Sequence, residues 1–355
     1  MTSITDTQTT PGARAGIIKL GLDIHASKIV VARQIDALPQ QPPQQFTPES
    51  FLAFARKQTA LAHQVHSCYE AGSLGYTLHR QLAALGLKNL VVRPRDWDTY
   101  GEGVKNDGRD ARALCSCLDR YLAGNSGALC VVRVPSEAEE KLRSQGRLRQ
   151  SLSGERVRLI LRGKSAALLL GLRLPSDWWE PGVFQKLELP DDLRAQLSVW
   201  QRVLLGIDAE LQTATAQLQQ AAPAGLPAGL GAMTWELLSR EICDWKRFKN
   251  RRQVASYTGL CPRESSSGQS RRQGCINRHG NPRVRHLLVE AVWRLLKFQP
   301  GYKAIVKWHP ALTALKLSAA RKKKIIVAIA RQLAVDLWRI ATGRVSAQAL
   351  GLRVN

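Results

Sequence analysis

Apolar positions in the first hundred residues form short runs that alternate with helical segments. Two runs within IIKLGLDIHASKIVVARQI, residues 17–35, flank a polar HASK segment, which predicts a hairpin of adjacent strands. A helix is predicted from about Pro48 to Leu61, and a strand from about His63 to Tyr69 that ends in Glu70. A second helix then leads to the strand KNLVVRP. Strands that alternate with helices predict an α/β layer.

The middle of the chain has a different periodicity. An uninterrupted 4-3-4-3 spacing predicts a long heptad helix, and a less regular helical stretch runs from about Ser136 to Leu172. A connector with Pro175, Pro181 and Pro190 separates the two. The pattern fits either an antiparallel or intermolecular coiled coil, or two helices packed within one chain. The heptad positions are Leu193, Leu197, Trp200, Leu204, Ile207, Leu211, Ala214 and Leu218.

A stretch rich in Pro, Gly and Ala at residues 222–232 marks a boundary. Short helices, a serine-rich loop and two basic amphipathic helices near Val284–Lys297 and Ala320–Ile340 are predicted beyond it. We expect an α/β plus α protein in four parts. These are a disordered tail over 1–15, an α/β domain over 16–130, a coiled-coil segment over 131–222 and a basic, mainly helical domain over 223–355.

Charge is concentrated at the C-terminal end. The 355 residues carry a net charge of +24, and from Arg251 onward 21 Lys and Arg face three acids, which is +18 of that total. Such an excess indicates a polyanionic partner, first a nucleic acid and second a membrane surface. The chain has no apolar run of 18 residues and no signal peptide in its opening segment, so we expect a cytoplasmic protein.

Seven cysteines form no C-x-x-C pair. This spacing argues against a zinc site or a disulfide framework, and we interpret the cysteines as small buried residues.

Four carboxylates are placed where a site would form. Asp23 and Glu70 lie at predicted strand ends, where an open α/β sheet gathers functional groups, and Asp107 and Asp110 open a predicted helix. Four carboxylates within about 4 Å repel by roughly 4 kcal/mol per pair at an effective dielectric near 20, so they require cations. One or two Mg²⁺ ions would suit them and would serve phosphodiester displacement. The alternative is unrelated strand-end and helix-capping acids.

Serines crowd the segment GLCPRESSSGQSRRQG. Serine runs are typical of solvated loops, but a serine hydroxyl can also attack phosphorus to form a covalent phosphoserine link. Gly268 would let the backbone approach a phosphate, and neighbouring arginines would stabilise the developing charge. Candidate contacts to nucleic-acid phosphates are Lys105, Arg109, Arg271, Arg272, Arg278, Arg283, Arg285, Arg321, Lys322, Lys323 and Lys324.

Several blocks of the sequence together resemble a known family. LDIHASK, YEAGSLGY, KNDGRDA and YTGLCPRESSSG, followed by GNPRVRHLLVEA, occur in the order of the DEDD transposases of the insertion sequence 110 family, especially its 1111 subgroup. The resemblance covers about residues 17–340. It implies a RuvC-like (RNase H-type) domain, a coiled coil and a C-terminal transposase domain.

The resemblance also implies site residues and partners. Asp23, Glu70, Asp107 and Asp110 would be the metal-binding tetrad, and Ser267, next to Ser265 and Ser266, would be the nucleophile. It further implies a bacterial, nucleoid-associated recombinase guided by an element-encoded RNA that pairs with donor and target DNA, with dimers that assemble into a tetramer. A basic tail without an obvious base-reading motif suits this division of labour.

Three hypotheses follow from these features. The first is a recombinase with Mg²⁺ at the tetrad and a phosphoserine intermediate. The second is a Holliday-junction-resolvase-like metal nuclease in which water is the nucleophile. The third is a non-catalytic RNA-binding or architectural protein.

Overall fold

The chain folds into two compact units, residues 1–134 and 135–355. The computed structural model describes residues 14–94, 106–223, 225–268, 270–314 and 316–354. The predicted disordered tail falls almost wholly outside these ranges. The domain bounds drawn from the sequence stay a prediction, and the observed division after residue 134 lies close to the bound drawn after residue 130.

The first unit is built on a mixed five-stranded sheet in the order β3-β2-β1-β4-β5. β1 and β2 form the predicted antiparallel hairpin, and β1, β4 and β5 run parallel. The predicted elements of this region are therefore confirmed. The strands are β1 Ala15–Ile24, β2 Ile29–Ile35, β3 Gln44–Phe46, β4 Ala62–Glu70 and β5 Lys88–Val92, and the helices are α1 Pro48–Leu61, α2 Thr77–Ala84 and α3 Asp107–Leu122.

Alternating side chains of the sheet pack against helices on both faces. Leu20 and Leu22 join the core that contains α1 and α2 residues, while Cys68 joins the core that contains α3 residues. Gly21, between the two leucines, lets α3 approach closely, because a Cβ there would lie 2.2 Å from the carbonyl oxygen of Ala111. The N-terminal end of α3 is fixed by Asn106, whose side chain accepts hydrogen bonds from the Gly108 and Arg109 amides.

The second unit begins with two long helices. These are α4 Glu137–Leu169 and α6 Asp191–Ala221, joined by a connector that includes the short α5 Pro181–Phe184. Arg149 donates from Nε to Thr215 Oγ1 at 2.8 Å, and Arg156 Nε lies 3.2 Å from Asp208 Oδ1. The paired positions run in opposite directions, so the helices are antiparallel within one chain, one of the arrangements predicted.

The connector end of this helix pair has its own apolar core. Trp178 is fully buried and lies against Gly163, where a Cβ would come within 2.2 Å of the indole. The indole Nε1 donates to the Ile160 carbonyl at 3.2 Å. Leu197 and Leu204 of the heptad complete this core, so the regular seam of α6 is buried as its spacing predicts.

The rest of the second unit is a helical core with a β-hairpin. The hairpin is β6 Pro262–Ser267 and β7 Ser270–Ile276, paired antiparallel. The prediction of a serine-rich loop is therefore wrong, because the serines belong to two paired strands with a turn at Gly268 between them. The helices are α7 Ala232–Ile242, α8 Arg251–Thr258, α9 Pro282–Phe298, α10 Lys303–Leu312 and α11 Ala319–Ala341.

Two further expectations meet the structure here. Cys68, Cys115 and Cys117 are buried as expected, whereas Cys130 and Cys275 are exposed, so the interpretation of all cysteines as buried is wrong. None of the helices in the described part of the chain has an apolar stretch sufficient to cross a membrane.

Candidate metal centre and serine hairpin

The carboxyl ends of the parallel strands bring acidic side chains to one edge of the first unit. Asp23 lies near the end of β1 and Glu70 ends β4. The register pairs Leu22 with Tyr69, so continuing the ladder by one residue places Asp23 beside Glu70. Gly21 and Cys68, two residues earlier, face α3, so Asp23 and Glu70 share the α3 face of the sheet.

Helix α3 supplies the other two acids from its first turn, where acidic side chains favour the helix dipole. Asp107, His25 and Asp23 each offer a ligand atom, and these atoms all lie within 4.8 Å of one another. The charge of Asp110 acts on Asp23 as well. The structure thus brings Asp23 and Asp107 together with Asp110 nearby, while the Glu70 carboxylate lies on the same face outside this tight group.

Two residues of this group have no counterpart among the sequence candidates. His25 Nε2 lies 3.2 Å from Asp23 Oδ2 and 3.6 Å from Asp107 Oδ2. Lys28 Nζ donates to Asp107 Oδ2 at 2.5 Å. The signal that could have identified His25 is its spacing, since residues two apart at a strand end point the same way.

The electrostatics of Asp23 and Asp107 differ. Burial raises the pKa of Asp23, opposed by the hydrogen bond and charge of His25 and reinforced by the charges of Asp107 and Asp110. The hydrogen bond from Lys28 lowers the pKa of Asp107. Asp23 is therefore a carboxylate whose negative charge is incompletely compensated by its surroundings.

The donor set fits a divalent cation. Two carboxylates and an imidazole within one small volume supply the hard oxygen ligands that Mg²⁺ and Mn²⁺ prefer, with one nitrogen added. The uncompensated charge on Asp23 would be stabilised by such an ion.

The serines of the hairpin divide between its two faces. Ser265 pairs with Arg272 and Ser267 with Ser270, while Ser266 pairs with Arg271. Because side chains alternate along a strand, Ser267 and Arg272 share one face and Ser266 and Arg271 share the other. Gly268 follows Ser267 with φ +55, a left-handed conformation that favours glycine at the turn.

Glu264 occupies the Ser266 face. Ser266 Oγ donates to Glu264 Oε1 at 3.0 Å, and Arg271 Nε lies 2.9 Å from the same oxygen. Ser266 is thus already bonded to a carboxylate, whereas Ser267 lies on the face without that acid.

The predicted phosphate contacts fall into two groups. Arg285 donates to the carbonyl oxygens of Thr258 and Arg278, and Arg283 donates to Gln150, so both have structural partners. Lys105 lies outside the described residues. The remaining candidates are exposed on the surface, although Arg271 is also paired with Glu264. They are Arg109, Arg271, Arg272, Arg278, Arg321, Lys322, Lys323 and Lys324.

Comparison with known proteins places this architecture in a defined class. Residues 228–307, which contain α7–α9 and the hairpin, match the model of the Transposase IS116/IS110/IS902 family. The chain is similar to the putative transposase y4rJ of Sinorhizobium fredii, with 31% identity over 80% of this chain and 79% of the relative.

More distant relatives extend the match. The transposase for insertion sequence element IS1533 of Leptospira borgpetersenii is 24% identical over 87% of this chain and 94% of its own length. The transposase for IS1111A of Coxiella burnetii is 22% identical over 74% of each chain. This chain belongs to the IS116/IS110/IS902 family of insertion-sequence transposases.

Proposed function

We propose that the chain is an RNA-guided DNA recombinase that cuts and joins DNA strands at a divalent-metal carboxylate site through a phosphoserine intermediate. The observation that carries this proposal is the convergence of Asp23 and Asp107, with Asp110 nearby, at the strand ends of the first unit. An acidic cluster in a transposase-family chain is expected to serve phosphodiester chemistry.

The first unit supports a RuvC-like (RNase H-type) interpretation. An antiparallel hairpin is extended by two parallel strands, and the four acids come from β1, β4 and the start of α3. In the proposed DEDD tetrad, Asp23, Asp107 and Asp110 would hold metal together with Glu70. Glu70, on the same face of the sheet as Asp23, would be the fourth residue of the set.

Mg²⁺ bound here would stabilise charge on the attacking and leaving oxygens of a phosphodiester. The residues of the chain have separate tasks. Asp23 provides a carboxylate with uncompensated charge, and His25 orients it through the 3.2 Å contact. Lys28 supplies one fixed positive charge to Asp107.

Ser267 is the proposed nucleophile. Its oxygen would form a bond to phosphorus, the bond from phosphorus to the leaving DNA oxygen would break, and that oxygen would take up a proton as the serine loses one. The shared face of Ser267 and Arg272 supports this assignment over Ser266, since Arg272 can stabilise phosphate charge there.

The proposed partners are donor and target double-stranded DNA and an element-encoded guide RNA, in the cytoplasm at the bacterial nucleoid. The second unit holds 37 Lys and Arg against 17 acids, a net +20, which supports a large phosphate-binding surface. Exposed apolar residues on α4 and α6, among them Leu161, Leu169 and Val203, support a homodimer through this helix pair, and two dimers would form the tetramer.

The experiment that tests this function incubates the full chain, its co-purifying RNA, donor and target DNA and Mg²⁺. A covalent protein–DNA adduct is expected for the unaltered chain and for Ser266→Ala, and its loss is expected for Ser267→Ala. Sequencing the co-purifying RNA tests the guide. An adduct that survives Ser267→Ala would refute the nucleophile.

A second candidate is a junction-resolving metal nuclease in which water attacks. The observation in its favour is that the acidic cluster is assembled within the first unit alone. This candidate predicts cleaved ends without attached protein and activity that tolerates Ser267→Ala but not Asp23→Asn.

A further inference from the structure

A pocket of about 250 Å³ lies in the second unit, between α4, α7 and α9. None of its residues belongs to the proposed carboxylate site or to the serine hairpin. One part of its lining is apolar and consists of Met233, Leu237 and Leu287. The other part is cationic and consists of Arg143, Arg149, Arg240, Arg283 and Arg294.

The positive charge of this pocket exceeds its negative charge. Five arginines face two glutamates in the lining, Glu241 and Glu290. Glu241 is also shared, because Arg147 donates to both of its oxygens at 2.9 and 3.2 Å and Arg143 lies 3.5 Å away. The surplus would be neutralised by a bound anion.

Two arginines of the lining keep unused donors. The buried Nε atoms of Arg143 and Arg294 have no hydrogen-bond partner among the described residues. Arg240, by contrast, donates to Glu236 and Gln145. A buried donor without an acceptor is unfavourable, so a shift of the Arg143 or Arg294 side chain that turned its Nε toward a phosphate oxygen in the pocket would be favoured.

The size and mixed lining limit what fits. The volume lies below the roughly 300–1,000 Å³ of sites for drug-sized ligands. An inorganic phosphate would leave the apolar wall in contact with water, whereas a nucleobase could cover it. Arginine is the residue best suited to phosphate because its planar donors match two oxygens.

We propose that this pocket holds one unstacked nucleotide of a nucleic-acid strand, with its phosphate among the arginine side chains of the lining and its base against the apolar wall. The inference rests on the proposed nucleic-acid function and adds a specific binding point for a strand that has left the duplex. The strand is either RNA or DNA, and the two share the recognised chemistry.

The test measures binding of fluorescent single-stranded RNA, single-stranded DNA and duplex DNA to the full chain across a salt series. Arg143→Gln and Arg294→Gln are expected to weaken single-strand binding about tenfold each and to lower the salt slope by about 0.7. The matched control is Arg162→Gln, the same charge change on an exposed position of α4.

Two further variants separate charge from packing. Arg294→Lys keeps the charge and loses the Nε donor. The salt dependence of its single-strand binding should therefore equal that of the unaltered chain, while its affinity falls. Met233→Ala should weaken binding without a change in slope. A larger effect on RNA or on DNA identifies the strand and supports the proposal in either case.

A measurement without substitutions covers the case in which a variant fails to fold. Oligonucleotides with a photoreactive thio-base should cross-link the unaltered chain within α7 or α9. Pocket variants that bind like Arg162→Gln, or cross-links confined to other segments, would overturn the pocket. Normal covalent adduct formation in those variants would leave the recombinase proposal standing.

Discussion

Two carboxylates, the half-buried Asp23 of the first unit and the buried Glu241 of the second, have pKa values shifted in opposite directions. Burial raises the pKa of Asp23, and His25 compensates it only in part. Burial acts the same way on Glu241, but hydrogen bonds from Arg147 and Asn281, with the charges of Arg147 and Arg143, lower its pKa below the usual value. The charge of Glu241 is therefore balanced by arginines of the protein, whereas the charge of Asp23 is balanced only in part.

This contrast supports a structural role for Glu241 and the proposed metal-binding role for Asp23. Glu241 joins α7 to α4 and to the start of α9, and its side chain is 6% exposed. Asp23 is 22% exposed at a strand end, where solvent and substrate can reach it. A carboxylate whose charge is left unbalanced at such an edge is typical of a functional site.

The largest expected effect is on catalysis. Asp23→Asn should lower the rate of strand cleavage by about 10³-fold or more, because several kcal/mol of charge stabilisation are lost. Glu241→Gln, the corresponding change in the other unit, should leave a folded protein that still cleaves at saturating DNA, because Glu241 lines the proposed nucleotide pocket and would affect DNA binding, not the cleavage step. Single-turnover cleavage of labelled donor DNA measures both. Equal losses would show that the two acids do not differ in role.

The next effect is on folding. Glu241→Gln should lower the free energy of unfolding by about 1–3 kcal/mol, because Arg143 and Arg147 lose their counter-charge in a partly buried site. Because the pKa of Glu241 in the folded protein is below 4.5, ionised Glu241 stabilises the fold at pH values above 4.5. This stabilisation is lost as the pH falls through the lowered pKa. The deficit measured by urea unfolding should therefore shrink below about pH 4.5. Glu155→Gln, on an exposed pair, is the control.

Divalent cations should act on one acid alone. Mg²⁺ or Mn²⁺ at about ten times its dissociation constant should stabilise the unaltered chain by about 1.4 kcal/mol. Glu241→Gln should keep this gain and Asp23→Asn should lose most of it. Thermal unfolding with and without EDTA measures the difference, and an equal response in all three proteins would contradict a metal at Asp23.

The smallest expected effect is a gain in the free energy of unfolding, not a loss. Asp23→Asn should raise the free energy of unfolding by about 0.5–1 kcal/mol in the absence of metal, since it removes a poorly solvated charge. Because the pKa of Asp23 in the folded protein is above 3.8, protonated Asp23 stabilises the fold at pH values below 3.8. This stabilisation is lost as the pH rises through the raised pKa. The gain from the substitution should therefore be present at pH 7 and disappear below 3.8. A gain that persisted at acid pH would have another origin.

The order of elements in the first unit could be predicted because its local signals agree. Polar HASK between β-branched runs specifies the β1–β2 hairpin, and Thr47 caps α1 with Pro48 in the first turn. The heptad likewise specified α6. Its partner could not be assigned from spacing, because the same seam can bury itself within one chain or between two.

The candidate site could be predicted only as far as its acids. Asp23 and Asp107 stood out because strand ends and helix starts gather function. Lys28 did not, since its contact with Asp107 joins residues that are 79 positions apart. The sequence predicts a loop at the hairpin because serine and glycine are typical of turns, and the cross-strand pairing that overrides this preference is not a local property.

The packing of Trp178 against Gly163 limits how the α4–α6 helix pair can change length. One residue inserted in α4 before Gly163 would rotate Gly163 by about 100° around the helix axis relative to the start of α4. Gly163 would then no longer face the indole of Trp178. Seven residues inserted in α4 and seven in α6 would return both faces nearly to register. In relatives that fold with longer or shorter α4 and α6 helices, the helix lengths should therefore differ by multiples of seven residues.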